Sequence, residues 1–192
     1  MSKLVVVLGP TASGKTKLAV QIANQYNGEI ISADSRQIYK GMDIGTGKDL
    51  NEYIINHKKV SYHLIDILDP KNNYSVFEFQ KSFWNIYKKL TLKKKLPIVC
   101  GGTGLYIESI LLNYLMPNVP PNQSLRLKME DKSQDYLIDY LKTIDLSIYD
   151  KSFHTTKRRI IRSIEIALSN NDISQKSNLY NNIHNPLVLG LK

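Results

Sequence analysis

The sequence predicts an α/β fold in which a parallel sheet is flanked by helices and carries a small helical appendage. Two observations lead to this prediction. Short apolar runs rich in β-branched residues, such as Val5–Val7, alternate with stretches whose apolar residues recur at helical spacing. Glycines follow two of these runs, at Gly9 and Gly101. Because loops after parallel strands gather at one edge of a sheet, ligand contacts are expected there.

The first part of the chain supplies most of this alternation. Buried strands are predicted at residues 4–8, 29–32, 61–68 and 96–100. Helices are predicted at residues 16–26, from Ser75 toward Lys93, and at residues 103–112. The second of these helices has a clear start, because Ser75 is a favourable cap with Glu78 three residues later. In the first helix, Leu18, Ile22 and Tyr26 are expected to share one side.

The later part of the chain departs from this pattern after residues 117–121, which read as a linker. Helical stretches are predicted at residues 125–129, 134–143 and 156–168, and a last strand at residues 186–191. The predicted organisation is a core (1–116), a small helical insertion (117–155), and a basic helix with a final strand that returns to the core (156–192).

Composition narrows the class of protein. The chain has 192 residues and 42% hydrophobic residues, enough for one domain with a substantial core. No apolar run reaches membrane-spanning length, and the apolar start is too short for a signal peptide, so a soluble cytoplasmic protein is expected. The single cysteine, Cys100, excludes an intrachain disulfide and is expected to be a buried structural thiol.

The formal net charge of +9 favours a polyanionic partner. Nucleic acid, a nucleotide or a membrane surface would each be such a partner. The alternative explanation of the charge is a lysine-rich surface that keeps the protein soluble. The charge alone does not decide between them.

The strongest motif is the phosphate-binding pattern G-x-x-x-x-G-K-[ST], placed between a predicted strand and helix. It consists of Gly9, Pro10, Thr11, Ala12, Ser13, Gly14, Lys15 and Thr16. Glycines let backbone N–H groups turn onto phosphate oxygens, Lys15 offers a point charge, and the Thr16 hydroxyl is placed to bind Mg²⁺. The sheet is therefore expected to be like that of P-loop nucleoside triphosphate hydrolases. ATP, GTP and a pyrophosphate ester all remain open as ligands.

Further motifs make the chain resemble the tRNA dimethylallyltransferase, or tRNA isopentenyltransferase, family along essentially its whole length. They are GPTASGKT (9–16), SADSRQIY (32–39), MDIGT (42–46), HLIDILDP (63–70), YS (74–75), GGTGLY (101–106) and RRIIRSIEI (158–166). The resemblance implies transfer of a dimethylallyl group from its diphosphate to N6 of an adenosine beside the tRNA anticodon. The implied partners are dimethylallyl diphosphate, tRNA and Mg²⁺, with no membrane; the oligomeric state stays open.

The same resemblance assigns roles to individual residues. Asp34 is the base that accepts the proton of the adenine amine, Lys15 and the Mg²⁺ on Thr16 stabilise the leaving pyrophosphate, and Thr103 contacts the acceptor in the site. The implied tRNA-binding residues are Asp34, Ser35, Arg36, Gln37, Thr103, Arg126, Arg158, Arg159 and Arg162. Alternatives remain for two of these residues: Asp34 as a ligand of metal-bound water or a helix cap, and Thr103 as a helix cap. Asp66 could act through metal-bound water, but a structural role is the expectation for it.

The helix at residues 156–168 supports a nucleic-acid partner independently of the family. At 100° per residue, one face is apolar: Ile160, Ile161, Ile164, Ala167 and Leu168. The opposite face is charged: Arg158, Arg159, Arg162 and Glu165. An apolar seam docks such a helix, and its arginines are suited to a phosphate backbone. A solvated charged face is the alternative.

Three other functions remain open at this point: prenylation of free AMP or ADP, an ATP-dependent nucleotide or small-molecule kinase, and an inactive shortened paralogue. The last arises because the family pattern continues, beyond the last predicted strand, with a helical segment that supplies an arginine to the leaving pyrophosphate. Residues 1–192 offer no counterpart to that arginine.

Overall fold

The computed structural model describes residues 3–114, 116–169, 183 and 185–192. The chain forms two compact units, here called the sheet unit (1–114 and 179–192) and the helical unit (115–178). The predicted organisation joined the basic helix to the final strand, whereas this division places the helix in the helical unit and the strand in the sheet unit.

Five parallel strands form the main sheet of the sheet unit. In chain order they are β1 (Val5–Leu8), β2 (Gly28–Ser32), β5 (Tyr62–His63), β6 (Leu96–Gly101) and β7 (Leu187–Gly190). Their order across the sheet is β5-β2-β6-β1-β7. A small antiparallel pair, β3 (Ile54–Ile55) and β4 (Lys58–Lys59), stands apart. The parallel sheet predicted from the alternating pattern is confirmed.

Within the described residues of the sheet unit, three α-helices and a short 3₁₀ helix surround this sheet. They are α1 (Lys15–Gln25), the 3₁₀ helix Leu50–Tyr53, α2 (Val76–Leu92) and α3 (Gly104–Leu111). Helix α2 begins as predicted: the Ser75 N–H donates to Glu78 Oε2 at 2.6 Å, and the Glu78 N–H donates to Ser75 Oγ at 3.3 Å. This reciprocal cap satisfies two N–H groups that the first turn would otherwise leave free.

Alternating strand residues divide the core into two layers. Val6 packs on one side with aromatic side chains of α2 such as Phe79 and Phe83. Val5 and Val7 pack on the other side, where Ala19, Val20 and Ala23 form the buried stripe of α1. The period-2 alternation of strands explains this division, and it confirms that helices cover both faces.

Two local predictions in this unit are wrong. Tyr26, expected to share one side of the first helix with Leu18 and Ile22, is the residue after α1 and is exposed, while the buried residues of α1 include Ala19 and Ala23. The strand predicted at residues 61–68 contains only the two residues of β5. Leu64 and Asp66 adopt positive φ values of 63° and 55°, and this conformation is incompatible with an extended strand.

The helical unit contains α4 (Gln123–Glu130), α5 (Gln134–Ile144), α6 (Leu146–Lys151) and α7 (Lys157–Leu168). Its core is formed by Leu137, Leu141, Ile160, Ile161 and Ile164. Helix α6 escaped prediction because it is a single short segment, capped by Asp145, whose carboxylate accepts from the Ile148 N–H at 2.9 Å. Among the described residues, no helix is both long and apolar enough to cross a membrane.

Candidate functional site

The glycine-rich loop lies between β1 and α1, at the carboxyl edge of the sheet. Gly14 ends the loop with φ = 81° and caps α1. This left-handed conformation is costly for residues with a side chain, which explains a glycine at this position. The first N–H groups of α1 therefore face the interior of the loop, where an anion would bind.

Lys15 is folded across its own loop, where its Nζ donates to Pro10 O at 2.6 Å. Inside the same loop, the Ser13 hydroxyl is buried and has no hydrogen-bond partner among the described residues. A buried hydroxyl without a partner is uncommon and calls for a missing polar group. The loop thus combines a flexible cation with an unsatisfied hydroxyl, both suited to phosphate oxygens.

Asp34 follows β2 and organises its own turn. Its Oδ1 accepts the N–H of Arg36 at 2.9 Å and that of Gln37 at 3.4 Å. These two bonds fix the direction of the carboxylate. Asp34, Lys15 and Thr16 line one cavity of about 270 Å³. The structure therefore brings the predicted base and the phosphate loop together.

Thr103 joins the ends of β2 and β6. Its Oγ1 accepts the Ser35 N–H at 3.0 Å, and its own N–H donates to Ala33 O at 3.1 Å. Thr103 occupies the cap position of α3, but its side chain makes no capping hydrogen bond. Its hydroxyl instead anchors the segment that begins at Ser35.

Gly101 brings the two strand ends still closer. A Cβ added at Gly101 would lie 2.3 Å from Ala33 O. Only glycine permits this approach, so the backbone after β6 packs directly against the backbone after β2. The relative position of Asp34 and Thr103 is therefore set by contact between main chains.

Gln37 lines the cavity and is held at both ends of its amide. Its Oε1 accepts from Ser32 Oγ at 3.1 Å, and its Nε2 donates to Thr46 O and Gly47 O at 3.3 and 3.2 Å. Arg36, beside it, is exposed. Gln37 thus joins the Asp34 turn to the loop that carries the MDIGT motif.

The rest of the cavity lining was not predicted from the sequence. It includes Asp49, Glu52 and Tyr53, together with Cys100. The 3₁₀ helix that carries Glu52 and Tyr53 is too short to leave a periodic signal. Burial raises the pKa of the Cys100 thiol to about 12, so the thiol stays protonated at neutral pH. This agrees with the predicted buried structural thiol.

A second cavity, of about 480 Å³, borders the start of the phosphate loop at Gly9 and Pro10. Its walls are mainly apolar, with Leu8 and Pro10 from the loop region and Ile107 and Leu111 from α3. Gly101 borders both cavities. Residues of the phosphate loop therefore line both a polar cavity and an apolar one.

In the helical unit, two of the predicted tRNA-binding arginines share one buried carboxylate. Glu165 accepts from Arg126 Nε at 2.7 Å, Arg126 Nη2 at 3.0 Å, Arg162 Nη1 at 2.9 Å and the Asn122 N–H at 2.8 Å. Arg162 also donates to Val119 O at 2.7 Å. Burial alone would raise the pKa of Glu165, but these donors outweigh burial and lower it.

The face assignment of α7 is therefore only partly right. Ile160, Ile161 and Ile164 are buried as expected, whereas Leu168 is exposed. Glu165 was expected on the charged face, yet it is 3% exposed, because its arginine partners compensate its charge. The remaining predicted contacts, Arg158 and Arg159, are exposed. Among the described residues, no cluster of His, Cys, Asp and Glu is arranged to hold a metal ion.

A parallel sheet with this glycine-rich loop between its first strand and helix defines a P-loop, phosphate-binding α/β protein. Comparison with known families is more specific. The family model described as IPP transferase matches residues 37–191, and the one described as isopentenyl transferase matches residues 2–66. The chain belongs to the IPP transferase family, and the resemblance predicted from its motifs is confirmed.

Similar curated relatives are named tRNA dimethylallyltransferases. The chain is 53% identical over 164 residues to tRNA dimethylallyltransferase 1 of Azobacteroides pseudotrichonymphae, covering 85% of this chain and 53% of the relative. It is 46% identical over 189 residues to tRNA dimethylallyltransferase 1 of Parabacteroides distasonis, covering 98% of this chain and 61% of the relative. The chain thus spans little more than half the length of these relatives.

Solved structures agree on the fold. The full-length tRNA isopentenylpyrophosphate transferase of Bacillus halodurans matches with a TM-score of 0.57 at 37% identity, over 86% of this chain and 55% of that one. A eukaryotic dimethylallyltransferase acting on tRNA matches with a TM-score of 0.76 at 26% identity, over 100% of this chain and 49% of that one.

Proposed function

We propose that this chain provides the catalytic core of a tRNA dimethylallyltransferase, which transfers a dimethylallyl group from dimethylallyl diphosphate to N6 of an adenosine beside the anticodon. The observation that carries the proposal is the cavity shared by Lys15, Thr16 and Asp34. It places an anion-binding loop and a carboxylate side by side. The names of the curated relatives supply the substrate class.

In the proposed reaction, the N6 lone pair forms a bond to C1 of the dimethylallyl group while the C1–O bond breaks. The electron pair of that bond leaves with the pyrophosphate. Lys15 moves from Pro10 O to the phosphate oxygens, where its charge and the loop N–H groups stabilise the leaving group. The Ser13 hydroxyl finds a phosphate oxygen as partner once the diphosphate is bound in the loop.

Asp34 takes the proton that N6 loses. Its Oδ1 is held by two backbone N–H groups, so the carboxylate is oriented before the acceptor arrives. An adenine amine is a weak nucleophile because its lone pair is delocalised into the ring. A carboxylate that accepts the proton during attack is therefore expected to accelerate transfer.

Mg²⁺ fits the residues present, because Thr16 and Asp34 line one cavity with the hard oxygen donors that this ion prefers. The ion would be held by the Thr16 hydroxyl together with phosphate oxygens and water. Its charge would offset the negative charge that develops on the pyrophosphate.

The acceptor tRNA is proposed to contact both units. Ser35, Arg36, Gln37 and Thr103 form the contact region of the sheet unit. Arg158 and Arg159 are exposed on the helical unit and are suited to phosphates. Arg126 and Arg162 remain proposed contacts, although much of their hydrogen-bonding capacity is engaged by Glu165. A cytoplasmic location follows from a tRNA acceptor.

The apolar cavity favours this donor over ATP. Dimethylallyl diphosphate has a charged head and a hydrocarbon tail, and residues of the phosphate loop line both a polar cavity and an apolar one. The hydrocarbon tail of dimethylallyl diphosphate matches the apolar lining of the second cavity. AMP or ADP as acceptor is the second candidate, because the polar cavity itself is small, at about 270 Å³.

The test incubates the protein with labelled dimethylallyl diphosphate and either unmodified tRNA or AMP. A parallel reaction supplies ATP instead of the labelled donor. Label in tRNA is expected, and Asp34→Asn should lower transfer at least about 100-fold while pyrophosphate binding persists. Asp139→Asn, a change of an exposed carboxylate on α5, should transfer normally. Label only in AMP would identify the second candidate. Turnover of ATP alone, or full activity of Asp34→Asn, would contradict the proposal.

A further inference from the structure

Lys48 is a buried cation that lies outside the candidate site. Its side chain is 1% exposed. Its Nζ donates to Asp66 Oδ1 at 2.5 Å, Asp43 Oδ1 at 2.9 Å and Tyr39 O at 2.9 Å. An ammonium group has three N–H donors, so all of them are used.

The three acceptors of Lys48 belong to the segments that hold Gln37. Tyr39 follows Gln37 by two residues. Asp43 begins the turn that presents Thr46 O and Gly47 O to the Gln37 amide. The Asp66 N–H donates to Gln37 O at 3.1 Å. Lys48 therefore links the two loops that hold the side chain and the main chain of Gln37.

The arrangement of Lys48, Asp43 and Asp66 costs folding free energy. Asp66 adopts the left-handed conformation, with φ = 55°, which costs energy for a residue other than glycine. Burial alone lowers the pKa of Lys48, but the hydrogen bonds and charges of Asp66 and Asp43 outweigh it and raise the pKa above its ordinary value. Lys48 thus stays charged and holds both carboxylates at neutral pH.

We propose that Lys48 is a positioning residue that holds the segment Ser35–Gln37 in the conformation that receives the acceptor. The proposal rests on the proposed function for the identity of that acceptor. Lys48 does not line the cavity and acts through Gln37 and Asp66. The hydrogen bonds of Lys48 do not reach Lys15, so its loss should weaken acceptor binding and spare the binding of pyrophosphate.

The central variant is Lys48→Met, which keeps the length of the side chain and removes its charge. Loss of charge-assisted hydrogen bonds should raise the KM and Kd for an unmodified anticodon stem-loop about tenfold. The Kd for magnesium pyrophosphate should stay within about twofold of the unsubstituted chain, because the loop is untouched. Lys48→Arg, which can donate to the same carboxylates, should recover most of the loss.

Hydrogen exchange provides a readout that is independent of activity. The amide of Asp66 should exchange at least about tenfold faster in Lys48→Met, since its bond to Gln37 O loses support. Amides of β1 and β6 should be unchanged. Lys95→Met is the matched control, because Lys95 also bonds a side chain, Asn27 Oδ1 at 2.6 Å, but lies away from Gln37.

The outcomes separate this proposal from the proposed function. If the unsubstituted chain neither binds nor prenylates the RNA, the proposed function fails, and exchange at Asp66 alone decides the role of Lys48. Equal losses of RNA and pyrophosphate binding, or Asp66 exchange equal to that of Lys95→Met, would overturn the positioning role. Should Lys48→Met fail to fold, Asp66→Asn keeps the side-chain size and is expected to shift the same readouts by about threefold.

Discussion

Glu165 offers the sharpest test of how the helical unit is held together. Its carboxylate is buried in α7 and accepts four hydrogen bonds, three from Arg126 and Arg162 and one from the Asn122 N–H that precedes α4. Glu165→Gln preserves the shape of the side chain. It removes the negative charge and turns one acceptor oxygen into a donor that faces an arginine.

The size of the effect follows from burial on the two sides of the pair. Removing one partner of a fully buried ion pair costs roughly 3–5 kcal/mol, because the remaining charge stays buried with neither a partner nor water to stabilise it. Here both arginine side chains are 34% exposed, so water replaces part of the lost interaction. We therefore expect the free energy of unfolding of the helical unit to fall by about 2–3 kcal/mol.

Urea unfolding followed by circular dichroism, together with hydrogen exchange of α4 and α7, measures this loss. Glu130→Gln is the control, because Glu130 is an exposed glutamate on α4, and its effect should stay within about 0.5 kcal/mol. A Glu165→Gln protein as stable as this control would refute the reasoning. It would mean that the arginines do not depend on Glu165 for their position.

Three further predictions concern pH, packing and charge. The pKa of Glu165 lies below its ordinary 4.5, so its stabilisation is present above that pH and is lost as the pH falls through the lower value; acid unfolding should show this step and Glu165→Gln should lack it. Gly101→Ala should destabilise the sheet unit by about 3 kcal/mol in urea, whereas Gly104→Ala, whose Cβ meets nothing within 4 Å, should be neutral. The double variant Arg158→Gln/Arg159→Gln should reduce the slope of log RNA affinity against log salt concentration by about two, without loss of stability. An unchanged slope would exclude both arginines as phosphate contacts.

The sequence predicted the layers of this fold well because its elements carry strong local signals. The Ser75 and Glu78 cap fixed the start of α2, and β-branched runs located β1 and β6. The prediction was wrong at residues 61–68, where hydrophobicity suggested a strand. Leu64 and Asp66 adopt left-handed conformations there, and Asp66 is held by a tertiary hydrogen bond from its N–H to Gln37 O. Periodicity carries no information about such bonds.

The candidate site was predictable where a residue belongs to a motif and unpredictable where a fold contact places it. The phosphate loop was found from its own sequence pattern and Asp34 from the family resemblance. Strand ends that converge at one edge of a sheet explain why the two meet. Asp49 and Glu52 line the cavity, and the Lys48 side chain is buried, because of how the loops around them fold. A sequence pattern does not show those loop conformations. Likewise, helical geometry placed Glu165 beside arginines, but pairing with Arg126 across two helices cannot be read from one helix.

The turn made by Asp34 has a consequence for which acidic residue this position can hold. The same carboxylate that faces the cavity also accepts the N–H groups of Arg36 and Gln37. A glutamate has equal charge, but its extra methylene carries the oxygens past these two N–H groups and leaves the turn without its closing bonds. The position is therefore specific for side-chain length as well as for charge. Exchange for the longer acid would alter the backbone path to Gln37 before it altered any proton transfer.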